Sequence, residues 1–266
     1  MIKKINLGSA DILISQIGLG TVKFGRNQGV KYPEAFALPS DQAILELLAV
    51  AKELGINLLD TAPAYGTSEE RLGKLLKGQR DEWVLCTKVG EEFIDGESVY
   101  DFSPKAVRLS IERSLQRLKT DHLEMVLVHS NGDDKKIIEQ DEVLETLSEF
   151  KKAGKIRAYG MSTKTIAGGL LTVDQSDVVM VTYNPLQTEE QSVIAHAHQK
   201  NKGVLIKKAL ASGHLNKIAD ENPVLSALQF IFAEPGVTSI ILGTLSKEHL
   251  RFNVGCAEKA ISSHLV

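Results

Sequence analysis

Short apolar runs alternate with longer amphipathic segments along most of the chain. The short runs are rich in β-branched and apolar residues, which is typical of buried strands. Strands are predicted at 17–21, 56–60, 83–88, 123–129, 156–161, 178–182, 204–207 and 238–242. Between them the apolar positions follow the helical period, which predicts helices at 41–54, 68–77, 104–118, 141–153, 169–171, 189–200, 223–233 and from 247 onward. The repeating unit is therefore a strand followed by a helix.

Capping residues support these helix boundaries. Ser40 or Asp41 suits the N-cap of the first predicted helix, and Gly55 follows its end. Ser103 and Pro104 suit the cap and first position of another helix. Strands separated by helices pair in parallel, so the pattern predicts an α/β fold, a (β/α)8 TIM barrel. A doubly wound open sheet is the alternative.

Two stretches lie outside the repeating unit. Residues 3–15 predict a β-hairpin that turns at 8–11 and plugs the bottom of the barrel. Residues 26–39 are polar and rich in turn formers. Because they follow the first strand, they are expected at the C-terminal face, where barrel active sites are built.

Composition narrows the functional class. A length of 266 residues suits a single barrel domain of about 250 residues. With 43% apolar residues, no run of about 20 and no leader-like N-terminus, we expect a cytoplasmic protein rather than a membrane one. A net charge of −3 without a basic stripe argues against nucleic-acid binding. Cys86 lies in a predicted strand and is expected to be a buried, reduced thiol.

Polar residues at strand ends are the candidate chemistry. The second, third and fourth strands end in Asp60, Lys88 and His129, and Tyr65 follows Asp60 by five positions. Alone, each suits a structural role: a turn cap, half of an ion pair, a core histidine or a packed aromatic ring. Together they converge on one sector of the rim, where a buried Lys88 needs Asp60 as its partner. An ammonium beside Tyr65 favours the phenolate and makes that phenol a better proton donor.

At these residues the sequence resembles the aldo-keto reductase family. The segment GINLLDTAPAYG at 55–66, followed by Glu69, looks like the family's first signature. The segments LCTK at 85–88 and LVH at 127–129 match its two other catalytic segments. The resemblance extends from residue 17 to Asn253 and implies hydride transfer from NAD(P)H to an aldehyde or ketone. It also implies that Tyr65 donates the proton, Lys88 paired with Asp60 tunes it, and His129 orients the carbonyl.

The resemblance also implies a set of cofactor contacts. Ser162 would hold the carboxamide, the loop with Leu210, Gly213 and Leu215 would embrace the pyrophosphate, and Asn253 would meet adenine. The full cofactor set is Gly20, Thr21, Ser162, Met180, Lys207, Leu210, Gly213, Leu215, Gly243, Thr244, Ser246, His249 and Asn253.

Four of these positions depart from the family pattern. Met180 stands where many members have a carboxamide-binding glutamine, and Lys207 where many have an aromatic ring stacked on the nicotinamide. Gly243 and His249 stand where a lysine and an arginine often bind the 2′-phosphate. NADPH is predicted over NADH because Ser246, Lys247 and His249 could contact the extra phosphate, and NADH is the alternative.

The expected substrate is a small carbonyl compound. The pocket is predicted to be lined by Val22, Lys23, Phe93, Ser130 and the 26–39 loop. The cationic Lys23 and Arg26 favour a polar or anionic substrate. A monomer is expected.

No metal site is predicted, since the paired histidines at 196 and 198 point to different helix faces. Residues 133–136 are interpreted as a solvated loop. Two other functions stay open: a Schiff-base lyase that uses Lys88, and a non-catalytic barrel that binds nicotinamide as a redox sensor.

Overall fold

Eight parallel strands close into a barrel at the centre of the molecule. The computed structural model describes residues 1–30, 35–213 and 220–263. The strands are β1 Lys4–Leu7, β2 Ala10–Ser15, β3 Ile17–Gly20, β4 Leu58–Asp60, β5 Val84–Val89, β6 Glu91–Ile94, β7 Glu97–Tyr100, β8 Leu123–His129, β9 Ile156–Ser162, β10 Val178–Thr182, β11 Gly203–Lys207 and β12 Ser239–Leu242. Residues 240–242 of β12 pair with residues 17–19 of β3 and complete the ring. The (β/α)8 barrel is thus confirmed, and the open-sheet alternative is wrong.

Helices surround the barrel. They are α1 Val22–Gly25, α2 Asp41–Glu53, α3 Ser68–Leu75, α4 Pro104–Leu118, α5 Asp134–Glu139, α6 Val143–Lys152, α7 Ile166–Gln175, α8 Gln191–Gln199, α9 Pro223–Phe232 and α10 Lys247–Ser263. The hydroxyls of Ser40 and Ser103 cap α2 and α4 by accepting from Ala43 N and Ala106 N. Among the described residues, no helix is both long and apolar enough to cross a membrane.

The hairpin of β1 and β2 closes the bottom of the barrel, as the sequence predicts. Leu7, Ile12 and Ile14 are buried and belong to the cluster that fills the barrel interior. The other buried members of that cluster are Leu58, Val84, Cys86, Met125, Leu127, Ala158, Val178, Met180 and Leu205. The hairpin therefore supplies the apolar floor beneath the barrel.

The segment interpreted as a solvated loop at 133–136 forms part of a helix instead. α5 begins at Asp134, whose carboxylate is 1% exposed and accepts hydrogen bonds from the backbone N–H groups of Lys164 and Thr165. These bonds satisfy the charge, so burial is tolerated. Gly168 of α7 makes room for Asp134, since a Cβ there would lie 2.1 Å from the Asp134 Cβ. α7 is also longer than the predicted 169–171, because its glycines weaken the helical pattern in the sequence.

A second hairpin, formed by β6 and β7, lies after β5 and was not predicted. Gly90 links β5 to β6 with φ +94° and places its Cα against the Phe102 ring, where a Cβ would lie 2.4 Å from Cε1. Asp95 and Gly96 form its turn with φ values of +52° and +88°. An Asp-Gly turn is a strong hairpin signal, so this element was present in the sequence pattern.

Candidate active site

The period-two alternation of the barrel strands brings charged side chains to the C-terminal rim. In β5 the interior residues are Val84, Cys86 and then Lys88, so the lining changes from apolar to charged in one step. Leu58 precedes Asp60 in the same way on β4, and the neighbouring strands β4 and β5 pair Asp60 with Cys86. The two charges therefore converge above an apolar floor.

Lys88 is the centre of the site. Its Nζ donates to Oδ1 of Asp60 at 2.6 Å, to the backbone oxygen of Thr61 at 2.9 Å and to the Tyr65 hydroxyl oxygen at 3.2 Å. The Lys88 and Asp60 side chains are 1% and 5% exposed. Burial alone would lower the pKa of Lys88, but the Asp60 carboxylate outweighs it and raises that pKa well above its ordinary value. Lys88 is therefore a permanent cation.

Tyr65 reaches the rim from a short 3-10 turn after β4. The turn spans Pro63–Tyr65, and Tyr65 N donates to the Ala62 oxygen at 3.0 Å. The Tyr65 ring centroid lies 4.7 Å from Lys88 Nζ and 6.0 Å from the His129 ring, which meets it edge-on at 85°. The structure thus brings together all four predicted catalytic residues.

His129 faces an acidic residue that sequence reasoning missed. Its Nδ1 lies 2.7 Å from Oε2 of Glu91, the first residue of β6. The carboxylate lies beside Nδ1 rather than in line with it, so the contact is electrostatic. Burial tends to raise the pKa of Glu91, but His129, Ser98 and Arg26 outweigh it and lower that pKa to about 2. Burial lowers the pKa of His129, and Lys88 and Lys207 act in the same direction, although Glu91 opposes them.

The predicted substrate residues lie at different depths. Val22 and Lys23 belong to α1 directly above β3, and both are half-buried. The Arg26 guanidinium lies over the Phe93 ring, 3.5 Å from the ring centroid. Ser130 is 1% exposed and its hydroxyl donates to Asp134, which gives it a structural contact rather than one directed to the barrel mouth.

Arg26 is engaged by the protein itself. Its guanidinium donates to the backbone oxygens of Gln28, Ala64 and Gly29 and lies 3.9 Å from Oε1 of Glu91. It therefore organises the loop above the site, which weakens its interpretation as a binding group for an anionic substrate. Residues 31–34 of that loop lie outside the described residues.

The predicted carboxamide residues share one sector of the interior. Lys207 Nζ donates to Ser162 Oγ at 2.9 Å and to the Thr163 backbone oxygen. Ser162 Oγ thus accepts from Lys207, and its own proton is left for another acceptor. Burial lowers the pKa of Lys207 to about 8, against the opposing charge of Glu190. Met180 is the strand partner of Ser162 and is 2% exposed in the interior cluster.

Two other predicted cofactor residues follow one another at the end of β3. Gly20 is buried, and a Cβ there would lie 3.1 Å from Cγ2 of Ile241. Thr21 is fully buried, and its hydroxyl bonds to the Asp60 backbone oxygen at 2.9 Å and to Ser68 Oγ at 2.8 Å. Thr21 therefore ties the end of β3 to the end of β4 and the start of α3.

The predicted pyrophosphate loop is described only in part. Leu210 is half-buried against the core, and Gly213 is exposed with φ +92°. Leu215 lies outside the described residues.

The predicted adenosine-phosphate segment leads into α10. Gly243 is exposed, Thr244 is 8% exposed, and Thr244 Oγ1 accepts from Ser246 N at 3.1 Å. Ser246 Oγ accepts from His249 N at 3.0 Å and donates to Oε2 of Glu248 at 2.9 Å. Asn253, one turn further on, is 8% exposed.

Lys247 is already paired at this end of the site. Its Nζ lies 2.6 Å from Oε2 of Glu46 on α2. Together with Glu248, this pairing reduces the positive charge that an additional phosphate would meet.

The donor set fits a nicotinamide dinucleotide. The Ser162 hydroxyl and Lys207 ammonium lie inside the rim near His129, where a carboxamide needs hydrogen-bond partners. The first turn of α10 supplies backbone N–H groups suited to anions. Among the described residues, no group of three or more His, Cys, Asp or Glu side chains is arranged to hold a metal ion. The Ser162 and Lys207 donors could therefore hold a dinucleotide beside the acid–base groups of the rim.

Comparisons with known proteins agree with this geometry. The model of the aldo/keto reductase family matches residues 16–225. The uncharacterized oxidoreductase YqkF of Bacillus subtilis is 29% identical over 98% of this chain and 96% of its own length. A crystal structure from Pseudomonas aeruginosa, provisionally named an aldo-keto reductase, is 48% identical with a TM-score of 0.89, covering 97% of this chain and 95% of that one.

A third similar protein carries a more specific name. The NADH-specific methylglyoxal reductase of Escherichia coli is 33% identical over a match that covers 59% of this chain and 51% of its own length.

Proposed function

The chain belongs to the aldo/keto reductase family of nicotinamide-dependent oxidoreductases, and we propose that it reduces a small aldehyde or ketone with Tyr65 as the proton donor. The observation that carries this proposal is the contact of Lys88 Nζ with both Asp60 Oδ1 and the Tyr65 oxygen, at 2.6 Å and 3.2 Å. A buried cation beside a phenol stabilises the phenolate that remains after proton donation.

Each residue has one task in the proposed reaction. A bound reduced nicotinamide supplies the hydride that the carbonyl carbon receives. Tyr65 gives its hydroxyl proton to the carbonyl oxygen as negative charge develops there, and Lys88 stabilises the phenolate left behind. Asp60 keeps Lys88 charged, and His129, on the strand next to that of Lys88, orients the carbonyl oxygen. In alcohol oxidation the Tyr65 phenolate takes the proton back.

The permanent charge of Lys88 argues against the Schiff-base alternative. An imine forms from a neutral amine, whereas Asp60 raises the pKa of Lys88 well above its ordinary value. Borohydride treatment in the presence of an aldehyde is therefore expected to leave Lys88 unmodified, as read by peptide mass spectrometry.

Both nicotinamide cofactors suit the binding residues, and the preference is a finer proposal. NADPH is the expectation from the residues that begin α10, and Ser246 and His249 remain its candidate phosphate contacts. Its extra phosphate must compete with Glu248 for Ser246 and with Glu46 for Lys247. We therefore propose that NADPH and NADH both support turnover. The carboxylates of Glu248 and Glu46 reduce the difference in affinity between the two cofactors.

Cofactor titration followed by a carbonyl panel tests the function. NADPH and NADH are titrated separately, and the oxidation of each is then followed with short aldehydes, ketones and dicarbonyls. Methylglyoxal belongs in the panel because a similar protein is named for it. Tight cofactor binding without turnover of any panel member contradicts the reductase and favours the redox-sensing barrel.

A further inference from the structure

We propose that Glu91 is a positioning residue for His129: its carboxylate keeps a proton on Nδ1, so that Nε2 is the nitrogen that meets the substrate oxygen, as an acceptor in the neutral ring and as a donor in the imidazolium. The inference rests on the carbonyl-reductase function proposed above and adds a control on the protonation state of its histidine. Glu91 comes from the β6–β7 hairpin rather than from a barrel strand. Glu91 therefore lies outside the four catalytic residues predicted from the sequence.

The Glu91 carboxylate is held in place from several sides. Its Oε1 accepts from Ser98 Oγ of β7 at 2.6 Å and lies 3.9 Å from the Arg26 guanidinium. Tyr100 pairs with Glu91 across the hairpin. With Oε1 engaged, Oε2 is directed to His129, 2.7 Å from Nδ1. Among the residues that the structure describes, Nδ1 has no acceptor in hydrogen-bond geometry, so the Glu91 carboxylate acts on it through its charge.

An ionised carboxylate accepts hydrogen bonds and cannot donate one. The pKa of Glu91 is lowered to about 2, so Glu91 is ionised at every pH at which the protein would be assayed. Of the two neutral tautomers of His129, the one protonated on Nδ1 places its N–H beside this carboxylate. The other would place a lone pair against a negative charge. The contact therefore selects the Nδ1 tautomer.

The Nδ1 tautomer determines whether Nε2 can accept or donate a hydrogen bond. In the neutral ring Nε2 carries a lone pair and accepts hydrogen bonds, so it suits the O–H of an alcohol. It donates to a carbonyl oxygen only when the ring takes up a second proton. The charged groups that face the ring have opposite effects on this second protonation. Glu91 favours the imidazolium, whereas Lys88 and Lys207 oppose it. Both ring protons stay on His129 during turnover, since the transferred proton comes from Tyr65.

The tautomer of His129 tests the inference without any cofactor or substrate. Nitrogen-15 NMR of histidine-labelled protein separates the Nδ1–H and Nε2–H forms, and His129→Asn assigns the signal. We expect the Nδ1–H form in the wild type above the titration of the ring, and a shift toward the Nε2–H form in Glu91→Gln. Glu92→Gln is the matched control, because the adjacent Glu92 pairs with Arg113 instead. A wild-type ring protonated on Nε2 overturns the proposal.

The pH profile of reduction is the second readout. At saturating cofactor between pH 5.5 and 7.5, kcat/KM of the wild type is expected to fall by up to about tenfold per pH unit above the imidazole pKa. Glu91→Gln is expected to flatten this fall, since a glutamine amide donates to Nδ1 and leaves a proton on Nε2 at all pH values. Glu92→Gln keeps the wild-type slope. A parallel profile in Glu91→Gln contradicts the role of Glu91.

Two measures keep the result unambiguous. Thermal unfolding of Glu91→Gln and Glu91→Asp shows whether each variant folds. If neither variant folds, the His129 tautomer of the wild type still supports or overturns the role of Glu91. A protein that reduces no carbonyl fails the proposed function, yet its His129 tautomer still supports or overturns the role of Glu91.

Discussion

The ammonium of Lys88 donates a hydrogen bond to the phenolic oxygen of Tyr65 across 3.2 Å. The direction of this bond follows from chemistry, because an ammonium has protons and no lone pair. The Tyr65 oxygen is therefore an acceptor toward Lys88, and its own proton is the one directed to any other partner. The same contact supports the phenol before proton transfer and the phenolate after it.

Replacing Tyr65 by phenylalanine is expected to lower kcat of carbonyl reduction by about 10²- to 10⁴-fold, the usual contribution of a positioned proton donor. Cofactor affinity is expected to persist, because the hydroxyl is directed to the substrate. Oxidation of the reduced cofactor measures the first quantity and fluorescence titration the second. Tyr159→Phe is the control, since the Tyr159 hydroxyl donates to the Gln175 backbone away from the catalytic rim. An unchanged rate in Tyr65→Phe rejects Tyr65 as the donor.

Replacing Lys88 by methionine is expected to abolish turnover and to reduce the free energy of unfolding by about 3–5 kcal/mol, because Asp60 then remains buried without its partner. Urea denaturation measures the loss. Lys74→Met breaks the exposed pair with Asp41 and is expected to cost about 1 kcal/mol or less. Adding Asp60→Asn to Lys88→Met should recover part of the loss. Equal costs for the two lysine variants would contradict the burial argument.

Cofactor binding is expected to weaken as the pH rises through about 8, the pKa to which burial lowers Lys207. Below that pH Lys207 is a cation beside Ser162, and above it the charge is lost. Losing a charge-assisted hydrogen bond corresponds to about a tenfold increase in Kd between pH 7 and 9.5. Lys207→Met should bind more weakly at pH 7 with a flat profile.

Lys202→Met provides the comparison for that titration, because Lys202 donates to the Ser176 backbone oxygen at the opposite end of the barrel. The Lys202→Met variant should retain the wild-type dependence of the cofactor Kd on pH. A wild-type Kd that is constant across this range would mean that the charge of Lys207 does not reach the cofactor.

Replacing Glu248 by glutamine is expected to favour NADPH over NADH by about two- to fivefold in Kd at low salt, since one surface charge is worth about 0.5–1 kcal/mol. The carboxylate accepts from Ser246, the candidate phosphate contact. Glu258→Gln lies on the same helix, where Glu258 pairs with the N-terminal amine, and should leave the ratio unchanged. A similar change of both Kd values would show that Glu248 does not face the extra phosphate.

Local patterns predicted most of the secondary structure. β8, β10 and α4 have the predicted bounds, and Ser103 caps α4 as expected. The prediction failed where two local signals conflicted. The charges at 133–136 outweighed the apolar Ile137 and Ile138, although both are buried in α5. The short strands of β6 and β7 were missed despite the Asp-Gly turn between them.

The sequence by itself determined the barrel and the convergence of Asp60, Tyr65, Lys88 and His129. The period of a strand and the alternation of strands with helices are read from local sequence, and parallel pairing in a barrel then brings the strand ends to one rim. Only the tertiary structure decided the partners of these residues. Glu91 meets His129, and Lys207 meets Ser162, through approaches between elements far apart in the chain. Such contacts leave no periodic trace in the sequence, because they depend on how loops and strands pack in three dimensions.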